Sequence, residues 1–126
     1  MESDIKIDSN LKLTIGTVAE ALNVTQETLR TWDRENILSP KRSETNRRYY
    51  TLDDIKKGNI IKFMTRNLLL NLSGVKIVLA MLEANNIELD EQENYLKKLA
   101  QKAGFSKDIQ EENILKADSR GTPKRL

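Results

Sequence analysis

Basic side chains are concentrated in one part of this 126-residue sequence. Residues 26–66 carry ten lysines and arginines against six acids, a net charge of +4, whereas residues 1–25 carry −2 and residues 67–126 carry zero. The densest part runs from Lys41 to Tyr50 and ends on two arginines and two tyrosines, which can donate hydrogen bonds to phosphate oxygens. A basic segment of this kind is typical of a surface that contacts a polyanion.

The residue types that the sequence lacks narrow its chemistry. It contains no cysteine and no histidine, so thiolate metal sites, disulfides, the commonest metal ligand and the usual general base are all missing. No pair of acids stands in an apolar context that would shift their pKa values. We therefore expect no enzymatic activity, no metal and no cofactor.

Hydropathy gives no indication of a membrane protein or of export. No apolar stretch approaches the roughly 18–20 residues that span a bilayer. The first ten residues alternate acids and apolar residues and do not resemble a signal peptide. We therefore expect a cytoplasmic protein.

Two short helices are predicted next to the basic segment. Thr14 can cap the first helix, Asn23 suits a left-handed turn, and Thr25 can cap a second helix that continues through Trp32 to about Glu35. The first helix has one apolar face, formed at positions i, i+3, i+4 and i+7 by Ile15, Val18, Ala19 and Leu22.

The spacing within this helix pair fits a helix-turn-helix. That motif requires a small residue where the helices cross, a turn-tolerant residue four positions later and an apolar residue six positions after that. Ala19, Asn23 and Leu29 meet these requirements. An ordinary helical hairpin in a core explains the same pattern equally well.

A hairpin is predicted directly after the helix pair. Pro40 ends the second helix, and the ten residues from Lys41 to Tyr50 place polar turn residues between basic ones, with residues 44–46 near the tip. A basic hairpin in this position is typical of the wing of a winged helix-turn-helix. We expect Arg47 and Arg48 to contact phosphate or a minor groove, and one of the two tyrosines to pack inward.

Three further helices are predicted. Thr51 and Asp54 resemble a capping box at the start of the third, in which Gly58 indicates a close helix approach. Ser73 is the expected cap of the fourth, which ends at Asn85-Asn86. Asp90 and Glu93 are expected to cap the fifth, which Gly104 ends. Residues 106–117 could form a frayed helix, and residues 119–126 read as a flexible tail.

The fifth helix carries about two heptads of apolar residues. Contact with a second copy and packing within the chain are equally consistent with this pattern. The residues that such a dimer would use are Leu89, Tyr95, Leu96, Leu99 and Ala103.

The segment Leu29-Arg30-Thr31-Trp32-Asp33-Arg34-Glu35, followed by Ile37-Leu38-Ser39-Pro40 and by Arg42 and Asn46-Arg47-Arg48-Tyr49-Tyr50, resembles the MerR family. The resemblance covers about residues 11–86, and residues 42–48 and 71–79 are similar to the compact HspR/GlnR-like subgroup. Trp32 stands where a tyrosine is commoner in the family. The C-terminal tail does not match the tail with which nitrogen regulators such as GlnR sense glutamine synthetase, which argues against control by nitrogen.

The resemblance implies a mainly α fold: a MerR-type winged helix-turn-helix domain at residues 12–86, an arm at 1–11, a short dimerisation helix at 87–104 and a tail at 105–126. It implies a sequence-specific transcription regulator, expected to be a repressor, which binds an inverted repeat in double-stranded DNA as a homodimer in the bacterial nucleoid. Regulation is expected to come from a protein co-regulator, from the tail or from the abundance of the protein. A DNA-binding structural or adaptor protein and a helical protein-interaction domain are the alternatives.

The second helix is expected to enter the major groove, where Gln26 could read adenine and Glu27 could accept from cytosine. Both could equally be solvated first-turn residues. Arg30 is a phosphate clamp by the resemblance, or the partner of a neighbouring acid. The complete set of expected DNA-binding residues is Thr14, Thr17, Thr25, Gln26, Glu27, Thr28, Arg30, Thr31, Arg34, Lys41, Arg42, Asn46, Arg47, Arg48, Tyr49 and Tyr50.

Overall fold

The computed structural model describes residues 11–105, which are mainly helical. They divide into two compact units between Gly58 and Asn59. The expected arm and tail lie outside the described residues, apart from Leu11 and Phe105. The elements in chain order are α1 Ile15–Leu22, α2 Gln26–Arg34, β1 Lys41–Arg42, β2 Arg48–Tyr49, α3 Leu52–Lys62, a π-helical turn Phe63–Asn67, α4 Leu72–Ala84 and α5 Leu89–Lys102.

The first unit begins with the predicted helix-turn-helix. Thr14 and Thr25 cap α1 and α2, because their hydroxyl oxygens accept the backbone N–H groups of Thr17 at 3.1 Å and Thr28 at 3.0 Å. Asn23 adopts the left-handed conformation (φ 58°, ψ 47°) that turns the chain between the helices. The apolar faces are buried as predicted, with Val18, Ala19 and Leu22 on α1 and Leu29 and Trp32 on α2.

The predicted hairpin follows α2. Lys41 pairs with Tyr49 and Arg42 with Arg48 in antiparallel register. At the tip the Asn46 N–H donates to the Ser43 carbonyl at 2.8 Å, and Asn46 takes a left-handed conformation (φ 63°). A turn followed by a left-handed residue is a common way to close a three-residue hairpin loop, and Asn tolerates it well. We call residues 41–50 the wing.

The wing is attached to the chain that enters α1. Leu13 and Tyr50 exchange two backbone hydrogen bonds of 2.8 Å and form an isolated antiparallel bridge. β2 and its extension at Tyr50 are therefore bonded on both sides, to β1 and to Leu13. This second attachment has no signal in the local sequence pattern.

The capping box predicted for α3 is present in both directions. The Thr51 N–H donates to Asp54 Oδ2 at 2.8 Å, and the Asp54 N–H donates to Thr51 Oγ1 at 3.2 Å. The Asp54 carboxylate, 5% exposed, also accepts from Lys41 Nζ at 3.1 Å through both oxygens. The same carboxylate thus holds the start of α3 and the first strand of the wing.

In the second unit, α3 continues into the π-helical turn. Leu69, with φ 60°, then redirects the chain toward α4. The cap predicted at Ser73 is wrong: α4 begins earlier, and Asn71 accepts the Gly74 N–H at 2.8 Å. Asn and Ser are both good caps, and their closeness in sequence leaves the choice to the geometry of the preceding turn.

The start of α5 also differs from the prediction. Its N-cap is Glu88, whose side chain makes no capping bond, and Asp90 lies within the first turn. Gln92, predicted as a polar position in the heptad pattern, donates to the Ile87 carbonyl at 2.9 Å within the same unit. Gly104 (φ 104°) follows the helix at the predicted stop.

Gly58 lies where α3 packs closely against Leu22 of α1. A Cβ at this position would clash with Cδ1 of Leu22 and come within 3.2 Å of its Cδ2, and Leu22 is fully buried. Gly58→Ala should lower the free energy of unfolding by about 1–2 kcal/mol, because strain from overpacking exceeds the gain in helix propensity. Urea denaturation measures this.

Gly16→Ala is the matched control in α1. Its new Cβ would lie 3.3 Å from the Gln26 amide nitrogen, the end of an exposed side chain that can move aside, and 3.9 Å from Thr14 Oγ1, an ordinary contact. That variant should be as stable as the wild type or up to about 1 kcal/mol more stable. A Gly58→Ala variant of equal or greater stability would contradict the close approach.

Candidate nucleic-acid interface

The exposed face of α2 carries a continuous network of polar side chains. Glu27 Oε1 lies 3.5 Å from Arg30 Nη1, and Glu27 Oε2 lies 3.4 Å from Arg34 Nη2. Arg30 Nη2 donates to Gln26 Oε1 at 3.2 Å, and Arg34 Nη2 donates to Thr31 Oγ1 at 3.0 Å. We call these five residues the recognition face. It presents charged donors and acceptors of the kind that bind base edges and phosphates.

Hydroxyl pairs stand at the start of both helices of the motif. The Thr14 hydroxyl donates to that of Thr17 at 3.0 Å, and the hydroxyls of Thr25 and Thr28 are also 3.0 Å apart. Thr14, Thr17 and Thr25 are exposed and Thr28 is half-buried. In each pair one hydroxyl hydrogen is used within the pair, and the other can be donated to a phosphate oxygen at the start of the helix.

An open cleft of about 530 Å³ is lined by residues 12–14 on one side and by the wing on the other. Lys12 Nζ lies over the Tyr49 ring, 5.4 Å from its centroid, in a cation–π contact. The backbone N–H of Arg47 donates to Ser43 Oγ at 3.1 Å, while the Arg47 side chain is exposed. The residues that line the cleft are Lys12, Leu13, Thr14, Ser43, Glu44, Thr45, Arg47, Arg48 and Tyr49.

Arg42 and Asn46, both predicted DNA contacts, bind each other. Arg42 Nη1 donates to the Asn46 backbone carbonyl at 3.2 Å and to its side-chain Oδ1 at 3.3 Å. Both residues remain exposed. The pair therefore stiffens the tip of the wing and leaves further guanidinium donors for an outside acceptor.

Two wing cations have carboxylate partners on helices of the same unit. Arg48 Nη1 lies 3.6 Å from Asp33 Oδ2 on α2, and Lys41 Nζ lies 3.1 Å from Asp54 on α3. The first pair joins the wing to α2. The second occupies Lys41 with a buried acid, which gives this predicted DNA contact a structural partner.

Tyr50, predicted both as a possible DNA contact and as one of two tyrosines of which one packs inward, is the buried one. It is 2% exposed, whereas Tyr49 is half-buried beside the cleft. Burial, followed by the nearby carboxylates of Asp33 and Asp54, raises the pKa of the Tyr50 phenol above its usual 10.0, against smaller opposing effects of Arg48 and Arg30. We therefore remove Tyr50 from the candidate interface and retain Tyr49.

Sequence reasoning missed several residues of this site. Lys12, Ser43 and Thr45 line the cleft, and Asp33 holds Arg48. Lys12 lies before the predicted first helix, and its position depends on the bridge between Leu13 and Tyr50. No local pattern of apolar and polar residues signals that bridge.

The residues predicted for a dimer differ in exposure, although Tyr95, Leu96, Leu99 and Ala103 all line one apolar groove. Leu96 is 5% exposed and Leu89 is half-buried, so Leu96 packs within the chain. Tyr95, Leu99 and Ala103 are exposed and line an apolar groove of about 240 Å³. Met81 on α4 lines the same groove, and Ile77 on α4 is also exposed.

The described part of the chain runs from residue 11 to residue 105. Within that range no group of three or more acids is arranged to hold a metal ion. No helix within the same range is long and apolar enough to cross a membrane.

The raised pKa of Tyr50 makes stability depend on pH in alkaline solution. The folded state holds the phenol proton more tightly than the unfolded chain, so this contribution is complete below the unfolded pKa of about 10 and is lost as pH rises through the folded pKa. Urea midpoints measured from about pH 9 to pH 11 should fall more steeply for the wild type than for Tyr50→Phe. Parallel curves would contradict the burial of the phenol.

Comparison with protein families supports the same assignment as this geometry. The model that describes MerR helix-turn-helix family regulatory proteins matches residues 13–82, more than half of the chain. Searches of curated proteins and of solved structures returned no match. The matched segment contains the helix-turn-helix, the wing and most of α4. The chain belongs to the MerR family of helix-turn-helix regulatory proteins, which are DNA-binding transcription regulators and not enzymes.

Proposed function

We propose that this protein is a sequence-specific transcriptional repressor that binds an inverted repeat in double-stranded DNA as a homodimer. The observation that carries the proposal is that the basic wing and α2 lie side by side in one unit, where Arg48 Nη1 is 3.6 Å from Asp33 Oδ2. A reading element and a phosphate-binding element held in one unit can engage adjacent parts of the same duplex.

Within this proposal α2 lies in the major groove with the recognition face toward the bases. Gln26 reads adenine and Glu27 accepts from the cytosine amino group, because these acceptors suit the donors at those base edges. Arg30 and Arg34 bind phosphate or guanine. The hydroxyls of Thr14, Thr17, Thr25 and Thr28 bind the backbone beside the groove.

The wing supplies phosphate contacts that do not depend on sequence. Arg47 and Tyr49 line the cleft, and Arg42 and Asn46 are exposed elsewhere on the wing. Lys12 extends this basic surface beyond the wing and joins the proposed interface. Each cation that neutralises a phosphate releases counterions, which makes binding dependent on salt.

The homodimer is proposed from the exposed apolar groove of the second unit. One helix-turn-helix buries a limited area of DNA, and two copies on paired half-sites give both affinity and spacing. Tyr95, Leu99 and Ala103 are exposed in this groove, with Met81 opposite them on α4. Large apolar side chains on one surface are typical of a protein contact.

The remaining parts of the proposal concern regulation. We place the chain in the compact HspR/GlnR-like subgroup, in the bacterial cytoplasm and on the nucleoid. A protein co-regulator is the proposed effector, because the sequence has no cysteine or histidine with which to bind a metal or report redox state. The tail at residues 105–126 is a second proposed point of control.

Genome-wide footprinting in the source bacterium tests the function directly. A repressor should protect sites over promoters and transcription start sites, and deletion of the gene should raise the corresponding transcripts. Sites clustered near a replication origin would instead indicate a structural or segregation protein. Absence of salt-sensitive DNA binding by the purified protein would overturn both.

Replacement of both wing arginines should weaken DNA binding regardless of sequence. For Arg47→Ala with Arg48→Ala we expect about a tenfold loss of affinity per lost contact. The slope of log K against log salt should become shallower by roughly 1.8, at about 0.9 for each phosphate contact. Fluorescence anisotropy titrations at several salt concentrations measure both.

Lys98→Ala with Lys102→Ala is the matched control for the wing variant. It removes the same charge from exposed positions of α5. Both variants are first compared with the wild type by sedimentation, so that a change of oligomeric state does not enter the result. Equal losses in the two variants would remove the wing from the interface.

Substitution of Leu99 tests the dimer surface. Leu99 is 45% exposed on α5, so Leu99→Glu leaves the core of the unit intact and places a charge on the apolar groove. Sedimentation velocity should show a shift from dimer to monomer at micromolar concentration, since an unpaired charge in a buried contact is unfavourable. Gln101→Glu, on an exposed position of the same helix, should remain dimeric. A dimeric Leu99→Glu variant would place the contact elsewhere.

A further inference from the structure

Glu27 is the acid within the recognition face, and both of its oxygens are engaged by arginines. Oε1 faces Arg30 at 3.5 Å and Oε2 faces Arg34 at 3.4 Å, so one carboxylate spans residues three and seven positions further along α2. The amide oxygen of Gln26 and the hydroxyl of Thr31 occupy further guanidinium donors. In the protein without DNA, the polar side chains of the recognition face therefore bond to one another, with the carboxylate of Glu27 between the two arginines.

This arrangement adds little to the stability of the fold. The side chains of Glu27, Arg30 and Arg34 are 51–65% exposed, and ion pairs between exposed groups contribute little. Helix pairs three or four residues apart are similarly weak. The side chains of the network can therefore exchange partners at small cost when a ligand approaches the recognition face.

A phosphate that approaches this face meets a carboxylate between the two cations. It must draw an arginine away from Glu27, and it is repelled by the Glu27 charge itself. A base edge that donates hydrogen is different, because its amino group can replace a guanidinium as the donor to the carboxylate. In the major groove cytosine N4 presents such a donor.

We propose that Glu27 is the specificity-determining residue of this protein. It holds Arg30 and Arg34 away from the phosphates of an arbitrary duplex and releases them where a cytosine amino group bonds to its carboxylate. The released guanidinium groups then bind guanine or phosphate next to that cytosine. This inference rests on the proposed DNA-binding function and adds the source of its selectivity.

Glu27→Gln tests the proposal because it keeps the shape of the side chain and removes the charge. The intact chain and the variant are each used to select binding sites from a random duplex library, and each is titrated with an unselected duplex at several salt concentrations. We expect the wild type to select a fixed cytosine. The variant should lose that cytosine or exchange it for adenine, the base that glutamine reads.

The titrations give a second readout. The variant should bind the unselected duplex about three- to tenfold more tightly, and its salt slope should steepen by roughly 0.9, since one more cationic charge is available to phosphate. The ratio of affinities for selected and unselected duplex should fall about tenfold or more, as for the loss of one base contact. Glu83→Gln, at an exposed position of α4, changes net charge equally and should alter neither quantity.

The outcomes separate this inference from the function on which it rests. A wild type that selects a site, together with a Glu27→Gln variant that selects the same site with the same ratio, overturns the role of Glu27 and leaves DNA recognition standing. Similar changes in Glu27→Gln and Glu83→Gln also overturn it, because the effect would then be one of net charge. A wild type that binds no duplex overturns both.

Discussion

The carboxylate of Asp54 is the interaction on which the arrangement of the first unit depends. It is 5% exposed and accepts bonds from the Thr51 backbone and from Lys41. A carboxylate so far from water is costly unless its acceptor sites are filled. The start of α3 and the first strand of the wing must therefore stay together. Removal of either partner would leave an unsatisfied charge and not simply one contact fewer.

The remaining contacts around the wing extend this constraint to its second strand. Leu13 and Tyr50 share two backbone bonds, and Arg48 pairs with Asp33 on α2. Each strand of the wing is thus attached to a helix by a charged pair, while the bridge joins the wing to the entrance of α1. These attachments determine where the exposed Arg47 lies at the cleft. A hairpin of two-residue strands would not hold such a position alone.

The sequence was sufficient for the features governed by neighbouring residues. The threonine caps, the left-handed Asn23, the capping box at Thr51 and the stop at Gly104 were all predicted, because each depends on a few consecutive residues. The close approach at Gly58 was also anticipated, since glycine within a helix is otherwise unfavourable.

What could not be predicted depends on residues distant in sequence or on competing local signals. The pairing of Lys41 with Asp54 and of Arg48 with Asp33 requires the hairpin to have folded back, and charge alone gives many equivalent pairings. The cap of α4 was assigned to Ser73 and not to Asn71, because both residue types are good caps and the sequence around them does not rank them. The heptad pattern of α5 did not distinguish buried Leu96 from exposed Leu99, because packing within the chain and contact with a second copy both select apolar residues.

The residues at the start of each helix also determine the local charge at its N-terminus. A helix start carries a fractional positive charge from its aligned peptide dipoles. On α1 the capping hydroxyls of threonine are neutral and the first turn contains no acid, so this charge remains uncompensated. On α3 a threonine hydroxyl, that of Thr51, is again the cap, but the first turn contains Asp53 and Asp54. Their carboxylates oppose this charge and draw Lys56 and Lys41 to them. The starts of these two helices therefore differ in local charge through the residues that follow the cap, and an anionic polymer is favoured more beside the start of α1 than beside the start of α3.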